Sequence, residues 1–145
     1  MASDAAPPIS QSTWRKLAAA AESARRNAHA PYSNYRVGAA LLTSRGVVRG
    51  CNVENASYPL CICAEAAAVA RAVSQGWRTW TALAVATQGP EAGAPCGACR
   101  QILAEFSVDL PVGLVVGGEV RAVHTVRALL PFGFTGEVLA RSTGR

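Results

Sequence analysis

Three thiols and one carboxylate are spaced in this chain as if to work together. Cys63-Ala64-Glu65 opens an alanine-rich run, and Pro95-Cys96-Gly97-Ala98-Cys99 opens a second run of helical character. Alone, the Cys96 and Cys99 pair could be half a zinc site, a thiol redox pair or a coincidence. Cys63 adds a third sulfur at a second helix start. Helix N-termini carry free N–H groups and partial positive charge, which stabilise a thiolate, the form that binds metal. A structural zinc site normally closes its tetrahedron with a fourth Cys or His. No fourth ligand stands at a familiar spacing. His29 and His124 are isolated from the cysteine motifs and read as locally hydrogen-bonded residues. Cys51 and Cys61 read as small, partly buried fillers. Three ligands with an open position describe a catalytic Zn²⁺ site.

Glu65 by itself would only complement a helix dipole. Two residues after a ligand, its carboxylate can reach a metal-activated water without binding the metal. Zinc lowers the pKa of such a water to about 7. The carboxylate can take that proton and pass it to a ring nitrogen and a leaving amine. Hydrolytic removal of an amino group from a nucleobase is the chemistry these groups serve together.

The elements that must position them follow from the pattern. Ser10 to Thr13 offer capping hydroxyls to a helix from Trp14 that ends near Asn27 to Pro31. Tyr35 to Thr43 reads as a strand, turned by Ser44-Arg45-Gly46 into a paired strand, Val47 to Cys51. Asn52 to Leu60 is a polar loop, and Cys63 to Gln75 is a helix stopped by Gly76. Leu83 to Ala86 is a buried strand, and Gly97 to Phe106 a helix with Ile102, Leu103 and Phe106 on one face. Val112 to Val116 and Val120 to Val123 form a hairpin over Gly117-Gly118, and Thr125 caps a short helix to Leu130. Helices inserted between short buried strands predict a sheet covered on both faces, a three-layer α/β/α sandwich.

A chain of 145 residues, half of them hydrophobic, is the size of one domain with a real core. We expect a single domain over residues 1–145, with residues 1–11 a flexible tail. No apolar run reaches the ~18 residues that would span a bilayer, and no signal-peptide pattern opens the chain. The net charge is +5, and Lys16 is the only lysine among fourteen lysines and arginines. The arginines are scattered rather than gathered into a stripe, which argues against a nucleic-acid partner. An odd count of five cysteines fits a reducing, cytoplasmic setting better than a disulfide framework.

The motifs resemble the homotetrameric, three-cysteine cytidine deaminase family. Cys63-Ala64-Glu65 and Pro95-Cys96-Gly97-Ala98-Cys99-Arg100-Gln101 carry the resemblance. Ala30-Pro31-Tyr32-Ser33, Val37-Gly38-Ala39-Ala40-Leu41, Asn52-Val53-Glu54-Asn55-Ala56-Ser57-Tyr58 and Leu129-Leu130-Pro131 extend it over nearly all of Trp14 to Phe134. It implies a five-stranded mixed sheet and one Zn²⁺ per subunit on Cys63, Cys96 and Cys99, with Glu65 as the proton carrier. It further implies hydrolysis of cytidine and deoxycytidine to the uridine nucleosides, in pyrimidine salvage. Asn52 and Glu54 would contact the sugar, although without the resemblance a polar turn with local bonds is the preferred reading. Tyr35 stands where the family usually has a stacking phenylalanine, and the backbone at Ala64 and Cys96 would read the base. Phe134, as a lone aromatic, could simply be core; in the family such a residue comes from a neighbouring subunit to cover the base. Ala56 and Tyr58 would lie at that subunit contact. One departure is Ala66, where the family usually has arginine. The related blasticidin deaminases also lack it, which keeps blasticidin S as an alternative substrate, while a CxxC redox protein is the alternative from another class.

Overall fold

The computed structural model describes residues 8–144, so most of the expected tail, residues 1–7, lies outside the described residues. Helix α1 (Gln11–Arg26) starts directly after Ser10, whose hydroxyl accepts from the Thr13 amide. Strands β1 (Gly38–Thr43) and β2 (Gly46–Cys51) form a hairpin, and α2 (Ala64–Ser74) follows the polar loop. Strand β3 (Trp80–Ala86), helix α3 (Gly97–Ala104), strands β4 (Pro111–Val116) and β5 (Glu119–Thr125), and helix α4 (Val126–Leu129) complete the expected order. A further helix, α5 (Gly136–Thr143), was not foreseen from the sequence.

The five strands form one mixed sheet in the order β2-β1-β3-β4-β5, parallel only between β3 and β4. Strand alternation divides the core between its two faces. Ala40, Ala82, Ala84, Ala86 and Val115 meet Leu17, Ala18 and Ala21 of α1. Ala39, Leu41, Leu83, Val85, Val112 and Leu114 meet Ala68, Val69 and Ala72 of α2, Leu103 of α3 and Val126 of α4. The result is the expected three-layer sandwich. Alanine on the α1 face lets that helix lie close to the sheet.

Two glycines show how close the helices lie. A Cβ on Gly38 would collide with the backbone of α1 at Ala21 and Arg25. One on Gly50 would collide with the backbone of α2 at Ala64 and Ala68. The first turn of α2 therefore rests directly on bare β2 backbone.

Several boundaries differ from expectation for identifiable reasons. Strand β1 begins at Gly38 rather than Tyr35, because Asn34 has a left-handed φ of 55° and Tyr35 and Val37 are bonded to the Asn52 side chain instead of a strand. Helix α3 ends at Ala104, and of its expected apolar face only Leu103 is fully buried. Phe106 packs instead on Trp80, their rings 4.2 Å apart.

Candidate active site

The register of the sheet creates the site. Gly38 of β1 is opposite both Cys51 of β2 and Ala86 of β3. One residue beyond these aligned positions stand Val37, Asn52 and Thr87, and all three line a cavity of about 360 Å³. That volume suits a small organic molecule, for which sites run roughly 300–1,000 Å³. The same cavity is lined by Cys63, Ala64 and Glu65 at the start of α2, and by Gly93, Ala94 and Cys96 before α3.

Cys63 and Cys96 are the N-cap residues of α2 and α3, and neither thiol bonds to its helix backbone. An ordinary N-cap side chain accepts from the first turn, so both sulfurs are left for another partner. Cys99, one turn into α3, is buried. The three Sγ atoms lie within 4.8 Å of one another, and Cys63 and Cys96 are 3.8 Å apart. Tetrahedral zinc with Zn–S bonds of about 2.3 Å separates its sulfurs by about 3.8 Å. Donor set and spacing both fit zinc. Among the described residues no other cluster of three or more His, Cys, Asp or Glu side chains offers a metal such a site.

The electrostatics agree. A hydrogen bond from Cys99, assisted by one from Cys96, brings the Cys63 thiol down to about 6, against burial and the nearby Glu65. Cys99, as the donor to Cys63, is pushed up, and burial adds to this. Cys63 thus takes on negative charge readily, as a metal ligand must. Glu65 is only 5% exposed. Burial raises its carboxyl above the ordinary range, opposed by its own backbone amide and the Cys99 thiol. A carboxyl in that condition exchanges protons nearer to neutral pH than an exposed one.

The other wall is built differently. Asn52 accepts from the Val37 amide at 2.8 Å and donates to the Tyr35 carbonyl at 2.8 Å. Glu54 accepts from the amides of Tyr32 and Ser33, at 2.8 and 3.2 Å, and from the Ser33 hydroxyl. The Ser33 hydroxyl is the main reason its carboxyl is held below the usual value. His29 aligns both residues: its amide donates to the Asn52 carbonyl and its carbonyl accepts from the Glu54 amide. The Tyr35 ring forms part of the wall, with its hydroxyl beside Gly93.

The structure therefore brings together Cys63, Cys96, Cys99, Glu65, Ala64, Tyr35, Asn52 and Glu54. Phe134 is more than half exposed and does not line the cavity within a single chain. Ala56 and Tyr58 are likewise outside it; Tyr58 meets Tyr32 edge-on at 5.7 Å. Cys61 needs a correction. It is exposed and lines the cavity, its sulfur accepting from the Asn55 amide at 3.3 Å directly after the 3₁₀ turn Tyr58–Leu60, so it is no partly buried filler. Thr87, Ser33 and Gly93 belong to the site and were missed. Gly93 donates to Thr87 Oγ1 at 2.9 Å, a contact no local pattern announces.

Comparison with known proteins agrees with this geometry. The family model for the cytidine and deoxycytidylate deaminase zinc-binding region matches residues 11–113. A cytidine deaminase of Sporosarcina psychrophila is 46% identical over 130 residues, covering 86% of this chain and 93% of that protein. The crystal structure of cytidine deaminase from Burkholderia pseudomallei superposes with a TM-score of 0.79 at 46% identity, over 87% of this chain and all of that one. That of the Mycobacterium tuberculosis enzyme gives a TM-score of 0.74 at 39% identity, over 83% and 96%. With the family model matching most of the chain and relatives 46% identical over most of both sequences, this chain belongs to the cytidine deaminase family.

Proposed function

We propose that this protein hydrolyses the 4-amino group of free cytidine and deoxycytidine, releasing ammonia and the uridine nucleoside. The observation that carries the reading is the buried carboxyl of Glu65 lining the same cavity as Cys63 and Cys96, whose sulfurs are spaced with that of the buried Cys99 for one zinc ion. Cys63, Cys96 and Cys99 would hold the metal. Bound there, zinc supplies a water acidic enough to act as nucleophile near neutral pH. Glu65 would take one proton from the attacking water and deliver it to N3 of the pyrimidine. It would then take the second proton from the hydroxyl added at C4 and pass it to the amine, which leaves as ammonia as the C4 carbonyl forms. Its burial places it where a proton can be both accepted and returned.

The remaining groups orient the substrate. Backbone atoms at Ala64 and Cys96 face the base, and the Tyr35 ring forms its wall. Asn52 and Glu54 keep hydrogen-bonding capacity after their loop contacts, and the ionised Glu54 suits sugar hydroxyls as an acceptor. We place Phe134, Ala56 and Tyr58 at contacts between subunits of a homotetramer. Their position outside the single-chain cavity supports this, as does the exposure of Tyr32, Tyr58, Leu60, Phe132 and Phe134. We read residues 1–145 as one such domain, acting in pyrimidine salvage in the cytoplasm. No helix among the described residues is long and apolar enough to cross a membrane, and the free thiols suit a reducing compartment.

Deamination assays on cytidine, deoxycytidine, blasticidin S and single-stranded oligonucleotides, with metal analysis of the same sample, test the reading. Turnover of the two nucleosides with one zinc per chain is expected. Metal-free protein that reduces disulfides, or activity confined to oligonucleotides, would overturn it. Light scattering tests the tetramer.

A further inference from the structure

The two residues that follow Cys99 both reach away from the metal cluster to the C-terminal segment. Arg100 donates through Nε to the carbonyl of Pro95 and through Nη1 to the carbonyl of Leu129, each at 2.7 Å. Pro95 is buried and immediately precedes Cys96. Leu129 is the last residue of α4. Gln101 donates through Nε2 to the carbonyl of Phe134 at 2.6 Å. Adjacent side chains of the helix that carries Cys99 thus grip both ends of the stretch from Leu129 to Phe134. The start of the stretch is anchored as well, the Leu130 amide donating to the Val126 carbonyl at 2.8 Å and Leu129 and Leu130 packing on the core, but beyond Leu130 it is held loosely. Its own closing bond, from the Gly133 amide to the Leu130 carbonyl, is long at 3.3 Å, and Phe132 is fully exposed with a left-handed φ of 58°.

We propose that Arg100 and Gln101 are positioning residues that couple zinc occupancy of Cys96 and Cys99 to the placement of the C-terminal segment bearing Phe134. The coupling rests on the zinc reading of the cysteine cluster. Arg100 fixes the turn that presents Cys96, so it sets where that sulfur sits relative to Cys63. A planar, forked guanidinium can hold two carbonyls at once, which a lysine cannot do with the same geometry. Coupling of this kind is reciprocal: what the metal gains from an ordered C-terminal segment, the segment gains from bound metal.

The test measures zinc transfer to a chromogenic chelator, and amide exchange of Gly133, Val138 and Leu139 in zinc-loaded and zinc-stripped full-length protein. In the parent, stripping zinc should speed exchange of these amides severalfold. Arg100→Ala should release zinc about tenfold more readily, the scale on which groups supporting metal ligands act. Its C-terminal exchange should be fast with or without metal. Arg100→Lys should restore only part of the zinc affinity, and Gln101→Ala should speed exchange while zinc is bound. A merely structural role would destabilise loaded and stripped forms alike and leave the zinc-dependent difference in exchange intact.

Parental zinc affinity in Arg100→Ala, or equal C-terminal exchange of loaded and stripped parent, overturns the proposal alone. Should Arg100→Ala not fold, parental zinc affinity and exchange in both Arg100→Lys and Gln101→Ala overturn it equally. A parent that binds no zinc removes the metal reading and the coupling together.

Discussion

The two walls of the cavity treat their polar side chains in opposite ways. On the α2/α3 wall, Cys63 and Cys96 occupy capping positions yet bond to no backbone amide, and Glu65 is buried at an energetic cost to its charge. On the loop wall, the side chains of Asn52 and Glu54 are tied to the segment from Tyr32 to Val37 by five hydrogen bonds. Thiols that bond only among themselves, beside a carboxyl bonded only to its own amide and one of those thiols, can turn to a metal and a reacting proton. Groups already bonded shape the pocket first and meet the substrate with what capacity remains. The first wall is tuned for chemistry and the second for form.

Substitutions should separate the walls. The largest effect is expected for Cys99→Ala: bound zinc and nucleoside turnover should both fall to background, while circular dichroism reports a retained fold. Next comes Glu65→Gln, which should keep zinc but lose about 10²–10⁴-fold in kcat. The same change should stabilise the metal-free protein at neutral pH. The sign follows from the raised carboxyl. The parent's folded state is favoured below the unfolded pKa and loses stability as pH rises through the folded pKa. Glutamine removes that loss, so the melting advantage should shrink to nothing as pH falls below about 4. No such convergence would mean that Glu65 is not buried as a charge.

On the other wall, Asn52→Ala should act mainly on form. Freeing the Val37 amide and the Tyr35 carbonyl should cost about 1–3 kcal/mol in denaturant unfolding and raise KM more than it lowers kcat. A fall in kcat with parental stability would instead place Asn52 with the chemistry. The smallest effect is expected for Ala66→Arg. Arg100 is committed to backbone carbonyls, so an added arginine would be free to donate to the sulfurs and draw charge from the metal. The acidic limb of the pH–rate profile should then move down by less than about one unit. An unchanged profile makes the missing arginine immaterial.

The same contrast governs what could be read from the sequence. Cys63, Glu65, Cys96 and Cys99 are legible because helix starts and short ligand spacings are local features. Helix α2 and the two hairpins follow from similarly local patterns. The loop wall is assembled at long range. Glu54 meets Ser33 across 21 residues, and Gln88 carries Asn34 across 54. Thr87 enters only because β1, β2 and β3 end level with one another. Cys61 was misjudged because its sulfur is held by the Asn55 backbone six residues earlier, at the exposed mouth of the cavity. Helix α5 is as amphipathic as α1, but it is only eight residues long and buries none of them, so the turn residues before it dominated the reading of that stretch.

Gly50 has a consequence for how the molecule reaches its native pairing. Slipping β2 by one residue against β1 would bring Arg49 or Cys51 beneath the opening turn of α2, and their side chains would lift it off the sheet. Cys63 would rise with it, beyond a shared ion with Cys96 and Cys99. Zinc capture would then favour the native hairpin: a misregistered chain would bind the metal poorly, and refolding in the presence of zinc should enrich the correct register, as amide exchange along β2 would reveal.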